Sequence, residues 1–318
     1  MHVFGDAIRF GVHSGPQNTT FDQYRDLWLR CEELGYDWVS DFDHFYPIQT
    51  DPTGPQFEGL TLLSAMAAHT QHVRCGMLVL GVTYRHPAVV AKMAATIDHV
   101  SGGRLELGMG AAWFELEHEQ YGIPFPRIGV RMDMLDEACR IVRSLWTQET
   151  TTFEGKHFRL TDARLEPKPV QEHLPLVIGG AGERRTLRIV AEHGDIWNTF
   201  YGDEDEYRHK LDVLDRHCAD VGRDPADVRK SLTFRAVLDE DERAARERAA
   251  ELYGDPLPDR LKKMMIVGTP DQCVERLRAY ADLGVGDFLL GQLAPVDPPT
   301  IELVARSVAP ALKAAVTA

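Results

Sequence analysis

The sequence predicts an α/β fold, a (β/α)8 TIM barrel with loop insertions, and three observations carry that expectation. Short apolar runs that read as strands buried on both faces alternate with longer segments of helical period along the 318 residues. Such alternation argues for parallel strands joined by crossover helices. Eight strand–helix repeats can be counted. A doubly wound open sheet is the alternative, because strand order is not written in sequence. The whole chain, 1–318, reads as one domain with insertions at about 150–175 and 254–268.

Strand one is expected at 8–13 (IRFGVH), before a helix with Phe21, Tyr24, Leu27, Trp28, Cys31 and Leu34 on one side and Gly35 closing it. Strand two is 37–40, followed by a polar loop to residue 57 and a helix over 60–68. Strand three, 75–81, is a continuous apolar run. His86-Pro87 then opens a helix whose Val89, Val90, Met93, Ala94 and Ile97 keep the helical period. Strand four is 105–108. The loop after it carries Trp113, Phe114, Glu115, Glu117, His118, Glu119 and Tyr121. It reads either as a wall for a planar ligand or as a helix packing Trp113, Leu116 and Tyr121 on the barrel. A helix over 131–146 follows, with one apolar face that could also serve to pair two copies. Residues 150–175 fit no βα unit and read as a small hairpin plus an extended connector. Strands five to eight are 176–178, 195–198, 231–237 and 288–290, each with its helix, and 254–268 reads as a second insertion or lid.

Formal net charge is −14, from 35 basic and 49 acidic residues. That argues against a nucleic-acid partner, which needs a basic face, but leaves room for one local basic pocket around a cofactor phosphate. Cys31, Cys75, Cys139, Cys218 and Cys273 are odd in number and widely spaced, which suggests buried free thiols in a reducing cytoplasm. The N-terminus lacks a basic region followed by an apolar stretch, and no window approaches the ~18 apolar residues of a membrane span. A cytoplasmic protein with no membrane partner is the expectation.

Three features carry chemistry. The loop after strand two, SDFDHFYP, places Asp41, Asp43 and His44 at the C-terminal rim, where barrels keep their active sites. An acid and an imidazole there can move protons or hydrogen-bond a heterocycle; a metal would want more histidines at strand ends, so no metal is expected. After strand five, Gly179-Gly180-Ala181-Gly182-Glu183-Arg184-Arg185 joins a strand to a helix start, which suits an anion or simply a tight corner. It is not the spaced dinucleotide fingerprint, which argues against nicotinamide. Third, no G-x-S-x-G elbow is present and no cysteine has a histidine partner in context, so redox chemistry through a bound heterocycle explains more than hydrolysis.

Several segments resemble the luciferase-like family of flavin- and deazaflavin-dependent oxidoreductases. They are SDFDHF, the block from Gly76 to Pro126, PLVIGGAGERRTLRIVAEHGDIWN, and VGTPDQCVERLRAYADLGVGDFLL. The style of the middle block resembles the branch that uses coenzyme F420, a deazaflavin, with FMN as the alternative cofactor. The resemblance implies a barrel with the ring at its C-terminal mouth and Asp43 and His44 beside it. It implies a bulge in strand three with a cis peptide at Leu78-Val79 backing the ring, and Gly81 just beyond. Gly180, Ala181 and Gly182 would cradle the phosphate; Met109, Gly110 and Ala111 would line the ring's other edge. His44 would be the catalytic, proton-handling group. The implied activity is hydride transfer between F420 and a small organic substrate, with an FMN-dependent monooxygenase fed by a separate reductase as the alternative, and a homodimer is the expected assembly. The glucose-6-phosphate dehydrogenase branch has a Glu after the strand-four glycine and a Trp after the Asp-His pair, where this chain has Ala111 and Ile48. That departure points to a less polar substrate.

Overall fold

The computed structural model describes residues 7–48, 50–292 and 295–317. In chain order the elements are β1 (Arg9–Ser14), α1 (Phe21–Glu33), β2 (Trp38–Asp41), α2 (Gly59–His69), β3 (Arg74–Gly81), α3 (Pro87–Ser101), β4 (Leu105–Gly110), α4 (Glu115–Tyr121) and α5 (Ile128–Thr147). There follow β5 (Thr151–Glu154), β6 (Arg159–Ala163), β7 (Leu176–Gly179), α6 (Thr186–His193), β8 (Ile196–Phe200), α7 (Glu204–Val221), β9 (Arg229–Leu238) and α8 (Glu242–Tyr253). The chain ends in α9 (Asp259–Met264), β10 (Met265–Gly268), α10 (Pro270–Ala281), β11 (Val285–Gln292), α11 (Pro298–Leu303) and α12 (Ala309–Thr317), the last two joined by the π-helical turn Val304–Val308.

All eight expected strands are present, and they close. The sheet runs β9-β11-β1-β2-β3-β4-β7-β8 and returns to β9, every pairing parallel. This is the eight-stranded parallel barrel, and the open doubly wound sheet is excluded. Residues 151–163 form the expected antiparallel hairpin, β5–β6. The segment 254–268, read as an insertion or lid, is partly a strand: β10 pairs with the top of β9, from Met265 opposite Arg235 to Gly268 opposite Leu238. It joins there because β9 outruns its barrel neighbours, whose pairing stops at Thr233 and Phe234.

Local chemistry sets the helix ends. Thr20 and Thr269 form capping boxes with Gln23 and Gln272, and Pro87 sits at the first position of α3. The apolar face of α5 is covered inside the chain: Met132, Leu135, Ala138, Ile141, Val142 and Leu145 are all buried against α3 and the barrel. It is therefore not available for pairing copies. All five cysteines are free and buried. Among the described residues no helix is long and apolar enough to cross a membrane.

Inside the barrel three layers are stacked. At the bottom Arg9 forks onto Asp287 (2.7 and 2.7 Å) and reaches Glu106 at 2.6 Å, while Arg229 joins Asp287 at 2.7 Å and Arg74 joins Glu106. Trp38, Val177, Ile196 and Leu289 fill the middle. Room for that indole comes from Gly76, where a Cβ would lie 2.1 Å from Trp38 Nε1. Val79 forms the top, and above it the barrel opens. Burial pushes the Glu106 carboxyl up, but the Arg9 and Arg74 guanidiniums outweigh it and hold the group below the usual carboxylate range. A depressed carboxylate stabilises the fold above its unfolded pKa, and that contribution is lost as pH falls through the folded value. Glu106→Ala removes the buried carboxylate shared by Arg9 and Arg74, leaving Arg9 on Asp287 and Arg74 on Gln171, and is expected to lower unfolding free energy by about 1.5–3 kcal/mol. Chemical denaturation checks this; a loss below ~1 kcal/mol would mean the layer is screened like a surface pair.

Candidate active site

A cavity of about 520 Å³, within the range of small-molecule sites, sits on the barrel's C-terminal mouth. Its floor is the end of β3: Leu78, Val79, Leu80 and Gly81. The Leu78-Val79 peptide is cis, and the β3–β4 register shifts between Met77 and Leu80, so β3 bulges here. Val79 turns into the barrel and its neighbours must be bare. A Cβ would stand 2.8 Å from Val79 at Gly108, 2.6 Å at Gly110 and 2.9 Å at Gly179. Phe42, Ile48, Trp113 and Phe200 form the apolar walls, and His13, Asp43, His44, Tyr84 and Asn198 supply the polar groups.

His44 is oriented from behind. Its Nδ1 lies 2.7 Å from Glu117 Oε1, on α4, and the other carboxylate oxygen accepts the Phe45 N–H at 2.8 Å. The Tyr84 hydroxyl donates to the same carboxylate. Burial pushes the Glu117 carboxyl up; the bonds from His44, Tyr84 and Phe45 outweigh burial and hold it below the usual range. An ionised carboxylate only accepts, so Nδ1 carries the hydrogen and Nε2 is the nitrogen left for a ligand. The ring is boxed edge-on by Phe42, Trp113 and Phe114, with centroids 5.4, 5.4 and 5.9 Å away.

His13, on β1, bonds Ser40 Oγ through Nδ1 at 2.9 Å. Burial first, and the charge of Arg235 second, lower its pKa to about 3, so it is neutral at physiological pH. Asp43 is held bidentately by Arg85 (2.8 and 2.9 Å) and accepts the Gly81 N–H at 3.1 Å. It therefore braces the bulge. Asp41 does not line the cavity: neither of its carboxylate oxygens has a partner among the described residues. Burial, then the nearby Asp43 and Glu58 charges, raise its pKa well above the usual carboxylate range.

The turn after β7 closes one side. Gly180 has φ +113, a region side chains avoid, and its N–H donates to Asn198 O at 3.0 Å. A Cβ on Gly182 would lie 2.8 Å from Thr186 Oγ1. In the turn itself the N–H groups of Ala181 and Gly182 make no hydrogen bond among the described residues, and no side chain caps α6 beyond it. Two free backbone donors thus stand in the turn beside the cavity, the kind of group that binds an anion.

A family model described as luciferase-like monooxygenase matches residues 4–256. The chain belongs to that family. It is 30% identical over 303 residues to the F420-dependent glucose-6-phosphate dehydrogenase of Microbacterium testaceum, covering 87% of this chain and 89% of that protein. It is 37% identical over 140 residues to the pyrimidine monooxygenase RutA of Allorhizobium ampelinum, 43% of this chain and 37% of that one. Its fold is shared by the solved structure of an F420-dependent secondary alcohol dehydrogenase in complex with an F420-acetone adduct, with TM-score 0.82, 21% identity, and 96% and 99% of the two chains covered. The protein is an oxidoreductase of the luciferase-like family.

In this family member the cavity gathers Asp43, His44, Leu78, Val79, Gly81 and Gly180 of the expected site residues. Met109, Gly110 and Ala111 do not line it. Met109 faces the helices, Gly110 abuts Val79, and Ala111 is half-buried with its carbonyl accepting from Arg131 at 3.0 Å. Ala112, at φ +58, and Trp113 hold that edge instead. Ala181 faces an adjoining cavity, and Gly182 precedes α6, its carbonyl accepting the Leu187 N–H at 3.0 Å. The reading of α4 as a helix packed through Trp113, Leu116 and Tyr121 is reversed: those three are exposed, while Glu117 and His118 are buried. Both bury because both are satisfied, His118 by Thr83 Oγ1 and Phe114 O at 2.7 Å each. Glu117 and Arg85 were not assigned site roles by the sequence; an acid and a cation flanked by aromatics next to strand ends was the available signal.

Two measurements check this geometry. Because the folded pKa of His13 lies below its ordinary 6.5, the unfolded chain takes up a proton first. Stability then falls as pH drops below 6.5, by roughly 1.4 kcal/mol per pH unit from this one group. Unfolding free energy should depend less steeply on pH in His13→Asn over that window, and equal slopes would contradict a buried neutral imidazole. Glu117→Ala leaves the Phe45 N–H, the Tyr84 hydroxyl and His44 without an acceptor and is expected to cost about 1–3 kcal/mol per orphaned group. An unchanged melting temperature would contradict the network.

Proposed function

We propose that the chain is a coenzyme F420-dependent oxidoreductase acting on a small, weakly polar organic substrate. The observation that carries the reading is the joining of the bulged, glycine-lined floor under Val79 to the donor-rich turn at Ala181 and Gly182. A flat ring fits the floor, and a phosphate on the same molecule fits the turn. The names of the relatives favour a deazaflavin for that ring. When bound, F420 supplies a ring carbon that gives or takes a hydride and reacts poorly with oxygen.

The chain's own residues do the rest. Leu78 and Val79 back the ring, and Gly179 and Gly180 let it approach the barrel wall. Trp113 and Phe200 flank the opening and keep water from the substrate. His44, its Nδ1 hydrogen held by Glu117, presents Nε2 to take or return the substrate's proton. Neutral His13 hydrogen-bonds without adding charge. Among the lining residues the one carboxylate, Asp43, is neutralised by Arg85, so the walls favour an uncharged substrate. Ile48 lies in that wall, consistent with a substrate other than a sugar phosphate.

A second reading, an FMN-dependent monooxygenase fed by a separate reductase, is favoured by the likeness to a pyrimidine monooxygenase over 140 residues. Parallel fluorescence titrations with F420 and FMN separate the two. Micromolar or tighter binding of F420 with weak FMN binding is expected; preference for FMN, with oxygen uptake when it is reduced, would overturn the first reading. Once a substrate is found, His44→Ala should cut turnover by ~10²-fold or more with cofactor affinity kept. Unchanged turnover would remove His44 from the chemistry.

A further inference from the structure

Beside the mouth lies a second cavity of about 720 Å³. It shares Phe200 with the first and begins at Ala181, the middle residue of the turn that offers free N–H groups. Three cations line it: Lys210 on α7, Lys263 on α9 and Arg276 on α10. Two acids line it as well, and both are engaged. Asp203 caps α7 by accepting the Glu206 N–H at 3.0 Å, and Glu206 faces Lys210 at 3.8 Å. Lys210 also holds Glu183 at 2.6 Å. Lys263 and Arg276 have no hydrogen-bond or ion-pair partner among the described residues, although the chain carries 49 acids to 35 bases. Two exposed, unpartnered cations of different helices facing one cavity in so acidic a chain make a local site for negative charge.

The position says which charge. A ligand with its ring over Val79 and its phosphate at Ala181 and Gly182 has this cavity directly beyond its phosphate. FMN ends at the phosphate. F420 continues from it into a chain of linked glutamates, each adding a carboxylate. We propose that the second cavity receives this polycarboxylate tail, with Lys263 and Arg276 as its counter-charges. The proposal rests on the F420 reading above. It makes the cavity the feature that selects the deazaflavin over FMN.

The test is binding, without turnover: fluorescence titration of wild type and of the K263A/R276A double variant with F420 carrying several glutamates and with the tail-less cofactor that stops after the phospholactyl group. Wild type should bind the tailed form about tenfold more tightly, and the preference should vanish at high salt. The double variant, with an unchanged melting temperature, should bind both forms with the wild-type affinity for the tail-less one. Equal wild-type affinity for the two forms would overturn the proposal and leave the cofactor reading intact. So would a preference that survives in the double variant, or an equal weakening of both forms, which would assign the cations to the phosphate. If wild type bound neither form, the cofactor reading itself would fall.

Discussion

The mouth of this barrel is organised around one side chain. Val79 turns inward at the β3 bulge, and the space it takes is space that β4 and β7 must give up. Gly108, Gly110 and Gly179 are the consequence, three bare positions on two neighbouring strands. Because those three positions are bare, Val79 can lie inward, and above it the cavity opens between Phe42, Ile48, Trp113 and Phe200. Asp43 ties the end of the bulge to Arg85 and the Gly81 N–H, and so fixes the cavity floor to the loop that also delivers His44. Cavity, imidazole and turn are thus one assembly, and it hangs on the bulge.

Charge is distributed along the barrel with the same economy. The lower end is plugged by Arg9, Arg74, Arg229, Glu106 and Asp287, ions that neutralise one another at the end opposite the mouth. The middle is hydrocarbon and indole. At the mouth the lining groups are neutral or paired: His13 is held uncharged by burial, Asp43 is bound to Arg85, and Tyr84 donates to Glu117. A chain of net charge −14 therefore presents a mouth whose one lining carboxylate is paired, with two unpartnered cations, Lys263 and Arg276, in the cavity beyond Ala181. On the F420 reading proposed above, a field arranged this way would orient an anionic cofactor by its far end and leave the ring in an apolar setting.

Much of the fold was legible because strands buried on both faces must be continuously apolar, and eight such runs stand between helices of clear period. β10 was not, because MMIVG follows the charged DRLKK and pairs only with the overhang of a longer strand. For the site, His44 and Gly180 could be placed from position alone, since each follows a strand's C-terminal end. Met109 to Ala111 could not. Whether a strand residue points in or out depends on register, and the β3 bulge together with Ala112 at φ +58 moves the lining residues one place along to Ala112 and Trp113. Glu117 was hidden for a different reason. One glutamate of three in an exposed-looking loop (Glu115, Glu117, Glu119) reveals its role only when the fold brings a histidine, a tyrosine and a free N–H to it.

The central claim, that the cavity above Val79 holds the ring of a deazaflavin, is tested most directly by a crystal structure of the protein soaked with F420. The account predicts ring density against Leu78 and Val79, with the phosphate at the Ala181 and Gly182 N–H groups and His44 within reach of the ring or the substrate space beside it. Density for the ring anywhere else, or a phosphate bound away from that turn, would contradict it.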